Sequence, residues 1–262
     1  MLLLKSIQKT LLPVLLLLLS APVIAAVEEV PKGVKLVTAP EVRHMLADDK
    51  TLVAHVLSRI EYQMQHIPGS INIPVDEIGT SDKMPKDRGV PIVFYCNGLA
   101  CPYSRRASIA AVKSGYTNIH WFRGGILEWR KYRYAMKVNK QMQSRKVVKL
   151  SPQSFLNKVT PEVLIVDVRP RWWRQSREHS GVIEGTNMRI PLLELDRRLH
   201  LLPKGRPILL VDRLMRQSVH AAKYLLINDY KVIGVLKGGT KRWVAEGLPV
   251  LQQPDEPAIS GD

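Results

Sequence analysis

Two cysteines lie five residues apart in the stretch FYCNGLACPYSRRAS, residues 94–108, and Cys96 and Cys101 are the only cysteines in the 262-residue chain. A pair at this spacing can form a disulfide, hold a metal, cycle between dithiol and disulfide, or supply a thiolate nucleophile. A metal clip would lack further ligands, and a disulfide closing so short a loop restricts the unfolded chain little. The pair therefore favours chemistry at sulfur, with a structural disulfide kept as an alternative.

The residues around the pair predict a strand, a loop and a helix. The apolar run 91–96 is typical of a buried strand, and residues 107–112 are helix formers that follow Ser104, the expected N-cap. A loop closing onto a helix N-terminus points backbone N–H groups inward, where they and the helix dipole stabilise a thiolate or another anion. The predicted catalytic residues are Cys96 and Cys101, and the predicted substrate-binding residues are Asn97, Gly98, Leu99, Ala100, Ser104, Arg105 and Arg106.

Two questions stay open at this loop. Cys96 ends the strand, whereas Cys101 lies closer to the helix N-terminus, so either sulfur can be the better stabilised thiolate. Arg105 and Arg106 add positive charge in the first helical turn, but they can equally be solvated surface residues, and at most one of them can face the loop.

The same pattern of residues occurs twice in the chain. The run PIVFYC at 91–96 aligns with PILLVD at 207–212, and a serine, a glycine pair and a tryptophan follow each run. These later matches are Ser104 with Ser218, Gly124-Gly125 with Gly238-Gly239, and Trp129 with Trp243. Strands alternating with helices predict an α/β fold of two tandem domains, each a mostly parallel sheet flanked by helices. The predicted bounds are 34–135 and 150–251, with a linker at 136–149 and a flexible tail at 252–262.

Several motifs together resemble those of the rhodanese (sulfurtransferase) family. HIPGSINIP at 66–74 is similar to the family's HIPGAINIP signature, GGILEW at 124–129 to its closing GG-x3-W, and VDVR at 166–169 to its DVR. The resemblance implies two rhodanese-like domains and a nucleophile at Cys96. It also implies a persulfide that takes sulfur from thiosulfate or a related donor and passes it to a thiol or cyanide. Asp212 holds the second nucleophile position, where a carboxylate cannot carry sulfur, so the second domain is expected to be structural. The resemblance implies neither a cofactor nor a metal.

The first domain departs from the family pattern in two ways. His55 stands where the family has the aspartate of DVR, and we expect a core histidine that is hydrogen-bonded to backbone. The step from Cys96 to Ser104 is eight residues, two longer than that from Asp212 to Ser218, and the extension brings in Cys101. This extension leaves two alternatives to sulfur transfer: a dithiol/disulfide redox protein that uses both cysteines, and a non-catalytic rhodanese-like binding module.

The N-terminus and the charge of the chain bear on where it works. Residues 1–26 carry two lysines, an apolar run at 11–19 and a small-residue ending, which predicts a cleaved signal peptide and an exported, periplasmic or extracellular protein without stable membrane insertion. The formal charge of +16 favours anions. No nucleic-acid-binding pattern is present, so we expect the partners to be a small sulfur-containing anion and a small-molecule or protein thiol acceptor.

Overall fold

A computed structural model describes residues 29–170, 182–183 and 185–251. The predicted signal peptide at 1–26 and the predicted tail at 252–262 lie outside the described residues. Within the described ranges, no helix has both the length and the apolar character needed to cross a membrane.

The first half of the chain builds a five-stranded parallel sheet. In spatial order its strands are β1 (Val34–Leu36), β6 (Ile119–Phe122), β5 (Ile92–Tyr95), β2 (Leu52–His55) and β4 (Ile71–Asn72). The central strands β2 and β5 are short apolar runs, as expected for strands that are covered on both faces. Their carboxyl ends lie at one edge of the sheet, where the Cys96 loop begins.

Helices cover both faces of this sheet. They are α1 (Ala39–Met45), α2 (Arg59–Met64), α3 (Tyr103–Lys113) and α4 (Gly125–Lys131), and a 3₁₀ turn occupies Val75–Glu77. Successive strand residues point to opposite faces. Phe94 accordingly packs in the same cluster as Ala107 of α3, whereas Val93 packs with Trp129 of α4.

The second half repeats this architecture. Its parallel sheet has the order β8 (Lys149–Leu150), β13 (Val232–Leu236), β12 (Ile208–Val211), β9 (Leu164–Asp167) and β11 (Thr186–Arg189). Its helices are α6 (Pro152–Leu156), α7 (Gln217–Ile227) and α8 (Gly239–Ala245), with a 3₁₀ turn at Leu199–Leu201. Each strand holds the place of its counterpart in the first sheet, so the prediction of an α/β fold with two parallel, helix-flanked sheets is confirmed.

Short antiparallel pairs complete the two halves. β3 (Gln65–His66) pairs with β7 (Lys137–Val138), and β10 (Val182–Ile183) pairs with β14 (Val250–Leu251). The segment 136–149, predicted as the linker, carries β7, α5 (Lys140–Ser144) and the start of β8. The exact domain bounds stay a prediction.

The two halves share a buried core. Ile60 and Met64 of α2 and Met142 of α5 belong to the same apolar cluster as Leu225 of α7. At the rim of this contact, Arg197 pairs with Glu77 at 2.9 Å between Nη1 and Oε1. An exposed pair of this kind contributes at most about 1 kcal/mol, so apolar burial dominates the contact between the halves.

Candidate active site: a cysteine pair in a cleft between the two halves

A glycine pair allows α4 to hold the Cys96 loop by its backbone. The N–H groups of Ile126 and Leu127 donate to the carbonyl oxygens of Cys96 and Asn97, both at 3.0 Å. Gly125 has φ +51°, and a Cβ there would overlap the Cys96 carbonyl group. Only glycine permits this close approach, which explains the GG step in physical terms.

Hydrogen-bond donors surround the Cys96 sulfur. The Ser104 hydroxyl oxygen lies 3.2 Å from Sγ, and the backbone N–H groups of Ser104 and Gly98 also donate to it. The Cys101 thiol also lowers the pKa of Cys96, and the Cys101 carbonyl oxygen accepts from the protonated form of the Cys96 thiol at 3.4 Å. The site is therefore built to hold negative charge on Cys96.

The expected role of Ser104 as an N-cap is wrong. α3 begins at Tyr103 with Pro102 as its N-cap, so Ser104 lies inside the first turn, and Ser218 lies inside α7 in the same way. The Ser104 hydroxyl oxygen instead accepts a hydrogen bond from Trp121 Nε1 at 2.9 Å. Because a thiolate has no proton to give, the Ser104 hydroxyl donates to Cys96 Sγ when Cys96 is ionised.

Burial and hydrogen bonding act in opposite directions on Cys96. Burial of the fully enclosed sulfur raises its pKa, but the hydrogen bonds from Cys101, Ser104 and Gly98 outweigh burial and lower the pKa to about 7. The hydrogen bond to Cys96, burial and the negative charge of Cys96 together raise the pKa of Cys101. Cys96 is thus the thiolate of the pair and Cys101 the protonated partner.

Both thiols are free in the structure, and they differ in their access to solvent. Cys96 has no exposed surface, whereas Cys101 is partly exposed and lines a cleft. The Cys101 N–H donates to the Gly98 carbonyl oxygen at 2.9 Å, which folds the loop back over Cys96. A molecule that enters from the cleft therefore meets Cys101 before Cys96.

The equivalent loop of the second half has the same arrangement of N–H and hydroxyl donors, here called the cradle, around a carboxylate. Asp212 Oδ2 accepts from the N–H groups of Arg216 at 2.9 Å and Gln217 at 2.8 Å. Ser218 Oγ donates to Asp212 Oδ1 at 2.8 Å. Asp212 thus occupies the anion position that the Cys96 sulfur occupies in the first half.

The two loops face each other across a cleft of about 310 Å³. The first half contributes Leu57, Glu61, Asn97, Gly98, Ala100, Cys101, Pro102, Tyr103 and Leu127, and the second half contributes Asp212, Arg213, Leu214, Arg216 and Gln217. Burial raises the pKa of Glu61 at this cleft, although His220 and Ser58 oppose the effect. The cleft combines apolar walls with two arginines and with the carboxyl groups of Glu61 and Asp212, and Asp212 already accepts hydrogen bonds from its own loop. The arginines are the groups that suit a small anion.

The structure separates the predicted substrate-binding residues into three groups. Asn97, Gly98 and Ala100 line the cleft, and Ser104 contacts Cys96 from the buried side. Leu99 is 66% exposed at the loop tip. Arg105 lies on α3 with Nε 3.4 Å from the Glu29 carbonyl oxygen, and Arg106 is exposed on the same turn.

Sequence reasoning did not identify several cleft residues, namely Leu57, Glu61, Tyr103, Leu127 and Gln217. The repeat places both loops at the carboxyl ends of parallel strands, and this is the signal that could have linked them. Which loop faces which depends on the packing of α2 against α7, and no motif records that packing.

His55 is a core residue, but the expected backbone hydrogen bond is absent. The residue is fully buried, and neither ring nitrogen has a partner among the described residues. Burial, with the charges of His66 and His220, lowers the pKa of His55 to about 3, so the ring is neutral. In the second half, Asp167 at the matching position pairs with Arg169 at 2.7 Å, whereas Leu57 replaces that arginine in the first half. The first half therefore lacks both members of the Asp–Arg ion pair that the second half has.

Metal-binding residues are not clustered in the part of the chain that the structure describes: no group of three or more His, Cys, Asp or Glu side chains there could hold an ion.

Comparison with known proteins gives a family match for the first half and more distant likenesses. Residues 38–132 match the family model described as Rhodanese-like domain. Among curated proteins, the chain is similar to the tRNA uridine(34) hydroxylases of Erwinia tasmaniensis (30% identical over 97 residues) and Yersinia pestis (29% over 109 residues). These matches cover 35% and 39% of this chain and 27% and 28% of the relatives. The chain thus spans little more than a quarter of the length of the curated relatives it matches.

Two solved structures add likenesses at low TM-scores. A thiosulfate sulfurtransferase from Pseudomonas aeruginosa is 19% identical, with 84% of this chain and 44% of that chain covered and a TM-score of 0.41. A human single-domain sulfurtransferase is 28% identical, with 37% and 95% covered and a TM-score of 0.33. The family match, together with the parallel sheet that carries the Cys96 loop, identifies residues 38–132 as a rhodanese-like domain.

Proposed function

We propose that this protein is a sulfurtransferase of rhodanese type. It moves sulfane sulfur from thiosulfate or a related donor to a thiophilic acceptor through a persulfide on Cys96. The observation that carries the proposal is the buried set of donors that keeps the Cys96 sulfur as a thiolate near neutral pH. A thiolate is the form that attacks sulfur.

Each half-reaction uses groups of this loop. The Cys96 thiolate attacks the outer sulfur of thiosulfate, the S–S bond of the donor breaks, and sulfite leaves with the bonding electron pair. The negative charge then lies on the outer persulfide sulfur, close to the N–H groups of Gly98 and Ser104 that already face Cys96. A thiolate or cyanide acceptor attacks that outer sulfur and returns Cys96 as a thiolate.

The cleft supports delivery of an anionic donor. Arg213 and Arg216 from the second half line it together with Cys101 of the first half. Positive charge at the mouth of a cleft raises the local concentration of anions. Cys101 must turn aside to admit a donor to Cys96, since Cys101 separates that sulfur from the cleft.

The setting proposed for this reaction follows from the N-terminal residues. We propose that the protein works outside the cytoplasm, because residues 1–26 have the residue pattern of a signal peptide, and that its acceptor is a small thiol or a protein thiol. Because the chain spans little more than a quarter of the tRNA uridine(34) hydroxylases it matches, we propose no hydroxylation of tRNA for it.

Intact-protein mass spectrometry tests the proposal directly. Reduced, purified protein is incubated with thiosulfate, and we expect one equivalent of sulfite to appear, while Cys101→Ser, which keeps Cys96 but lacks the second thiol, gains the mass of one sulfur atom. Cys96→Ser should release no sulfite and gain no mass. If thiosulfate, polysulfide and a thiosulfonate all leave the mass unchanged, the protein is a non-catalytic rhodanese-like module and the proposal is wrong.

A further inference from the structure

Cys101 contacts the sulfur that would carry the persulfide. The Cys96 sulfur lies 3.4 Å from the Cys101 carbonyl oxygen, and the Cys101 side chain packs against the buried cluster that contains Cys96. The second half has no counterpart, because its loop runs from Asp212 to Ser218 without the two extra residues. Sulfur transfer through Cys96 alone gives this second thiol no role.

The state of Cys96 controls the reactivity of Cys101. The hydrogen bond to the Cys96 sulfur, burial and the Cys96 charge raise the pKa of Cys101, while the backbone N–H groups of Tyr103 and Asn97 lower it. A persulfide moves the negative charge from Sγ of Cys96 to the outer sulfur, which weakens the first and third of these causes. Cys101 therefore becomes a better nucleophile after Cys96 has been loaded with sulfur.

The loop gives Cys101 room to reach the Cys96 sulfur. Cys101 precedes α3, which begins at Tyr103, so it is not fixed by helical hydrogen bonds. Leu99 and Ala100, which come directly before it, are exposed. A rotation of the Cys101 side chain towards Cys96 consequently needs no opening of the core.

We propose that Cys101 resolves the Cys96 persulfide, so that the loop releases hydrosulfide and closes as a Cys96–Cys101 disulfide. This inference rests on the proposed function, since it requires sulfur to reach Cys96 first. It adds a second activity, dithiol-dependent reduction of sulfane sulfur, that needs no separate acceptor thiol within one turnover. The carrying observation is that one loop holds two free thiols, with the Cys96 sulfur 3.4 Å from the Cys101 carbonyl oxygen and the Cys101 side chain packed against the cluster that contains Cys96.

The step balances within the loop. The Cys101 sulfur attacks Sγ of the Cys96 persulfide, the bond from Sγ to the outer sulfur breaks, and the outer sulfur leaves as hydrosulfide. The leaving sulfur takes the bonding electron pair and the Cys101 proton. Two thiols are oxidised to one disulfide while one sulfane sulfur is reduced to sulfide. An external dithiol returns the disulfide to two thiols for the next turnover.

A single-turnover experiment tests this step on the full chain. Reduced protein is mixed with one equivalent of thiosulfate in the absence of other thiols, and sulfite, sulfide and intact mass are followed. We expect wild type to release one sulfide per chain and to end two hydrogen atoms lighter than the reduced protein. Cys101→Ser should release sulfite, keep the added sulfur and release no sulfide until an external thiol is supplied.

The outcomes separate the two proposals. If wild type keeps the added sulfur as stably as Cys101→Ser, the resolving role of Cys101 is overturned and the sulfurtransferase stands. If neither protein releases sulfite or gains sulfur, the proposed function fails. Cys101→Ala provides a second variant without a hydroxyl group, and circular dichroism confirms that both variants are folded.

A donor-independent arm tests the resolving step by itself. An aromatic disulfide, dithiobis(nitrobenzoate), reacts with the Cys96 thiolate and releases one coloured thiolate. We expect wild type to release a second one at a rate that does not depend on reagent concentration, whereas Cys101→Ser releases one and keeps the adduct. A second release that depends on reagent concentration in wild type contradicts an intramolecular attack by Cys101.

Discussion

At the scale of single residues, the Cys96 sulfur is fully buried, and yet its surroundings stabilise a negative charge on it. Burial alone disfavours a thiolate, but the Ser104 hydroxyl, 3.2 Å from the sulfur, acts with Cys101 and Gly98 to lower the pKa. Trp121 fixes the Ser104 hydroxyl by donating to its oxygen. The acidity of Cys96 therefore depends on a hydrogen-bond chain that begins on the central strand β6.

Ser104→Ala tests this chain through the pH dependence of alkylation. In wild type, the rate of Cys96 alkylation by iodoacetamide should rise through a midpoint at about pH 7, because the thiolate is present above its pKa and lost as pH falls through it. Removing one hydrogen bond to a charged group, worth about 1.5 kcal/mol, should move the midpoint up by about one pH unit and lower the rate at pH 7 about sixfold. Peptide mapping assigns the rate to Cys96.

Ser108→Ala is the matched control for that measurement. Ser108 is buried on the same helix, and its hydroxyl donates to the Ser104 carbonyl oxygen at 2.9 Å without contacting the sulfur. In Ser108→Ala, the pH midpoint of Cys96 alkylation should equal that of wild type. An equal change in both serine variants would mean that general loosening of α3, and not the hydrogen bond to sulfur, sets the acidity of Cys96.

At the scale of elements, each loop is held by the helix that follows the next strand. In both halves, the second glycine of a pair lets a helix N-terminus donate to loop carbonyl oxygens. The Thr240 N–H donates to the Asp212 carbonyl oxygen at 2.8 Å, as the Ile126 N–H does to that of Cys96. The repeat thus extends from sequence spacing to individual hydrogen bonds.

Gly125→Ala should destabilise the protein and disable the loop. A left-handed backbone costs an L residue about 1–2 kcal/mol, and overlap with the Cys96 carbonyl group adds a comparable amount. Gly115→Ala has a similar positive φ but open space around the Cβ, so only the first cost applies. Urea unfolding should therefore show a larger loss of stability for Gly125→Ala than for Gly115→Ala. Gly239→Ala, the second-half equivalent, should resemble Gly125→Ala in stability but keep the wild-type alkylation rate of Cys96. Equal stability of Gly125→Ala and Gly115→Ala would contradict the expected overlap with the Cys96 carbonyl group.

Asp212→Cys should convert the second loop into a thiolate-binding loop. The N–H groups of Arg216 and Gln217 and the Ser218 hydroxyl already hold an anion at this position. In a Cys96→Ser, Cys101→Ser background, the introduced thiol should react with iodoacetamide at neutral pH at least about tenfold faster than a free thiol, because hydrogen bonds to the charged form lower its pKa. Adding Ser218→Ala should reverse much of this gain in rate. If the introduced thiol reacts slowly both with and without Ser218→Ala, the two loops do not stabilise a thiolate in the same way.

The sequence predicts the elements well and their fine geometry less well. Strand runs such as 91–96 and 207–212, and the repeat itself, predict both sheets, because apolar runs and fixed spacing report burial and connectivity. The assignment of Ser104 and Ser218 as N-caps was wrong by two positions, since Pro102 and Arg216 precede the helices and capping preference alone does not fix a helix start. The roles of Cys96 and Cys101 depend on donors from Trp121 and from backbone, which residue types do not reveal.

At the scale of the whole molecule, the cleft exists only because the halves pack together. Ile60 and Met64 of α2 contact the second-half core, and this contact brings the loop of Arg213 and Arg216 opposite Cys101. The second half carries a carboxylate in its own loop, so its contribution to the proposed sulfur transfer is the cleft wall that it supplies. A change in that wall should therefore affect donor binding without affecting the thiolate.

Arg216→Gln tests that separation. Arg216 is exposed and lines the cleft, so it should attract thiosulfate without contacting the Cys96 sulfur. Loss of one exposed charge, worth about 0.5–1 kcal/mol, should raise KM for thiosulfate about two- to fivefold, leave kcat near wild type and reduce the dependence on ionic strength. Arg145→Gln removes the same charge from an exposed position outside the cleft and should leave KM unchanged. If both variants raise KM equally, net charge and not the second-half loop attracts the donor. If kcat falls instead of KM rising, Arg216 acts on the reacting sulfur and the two halves share the chemistry itself.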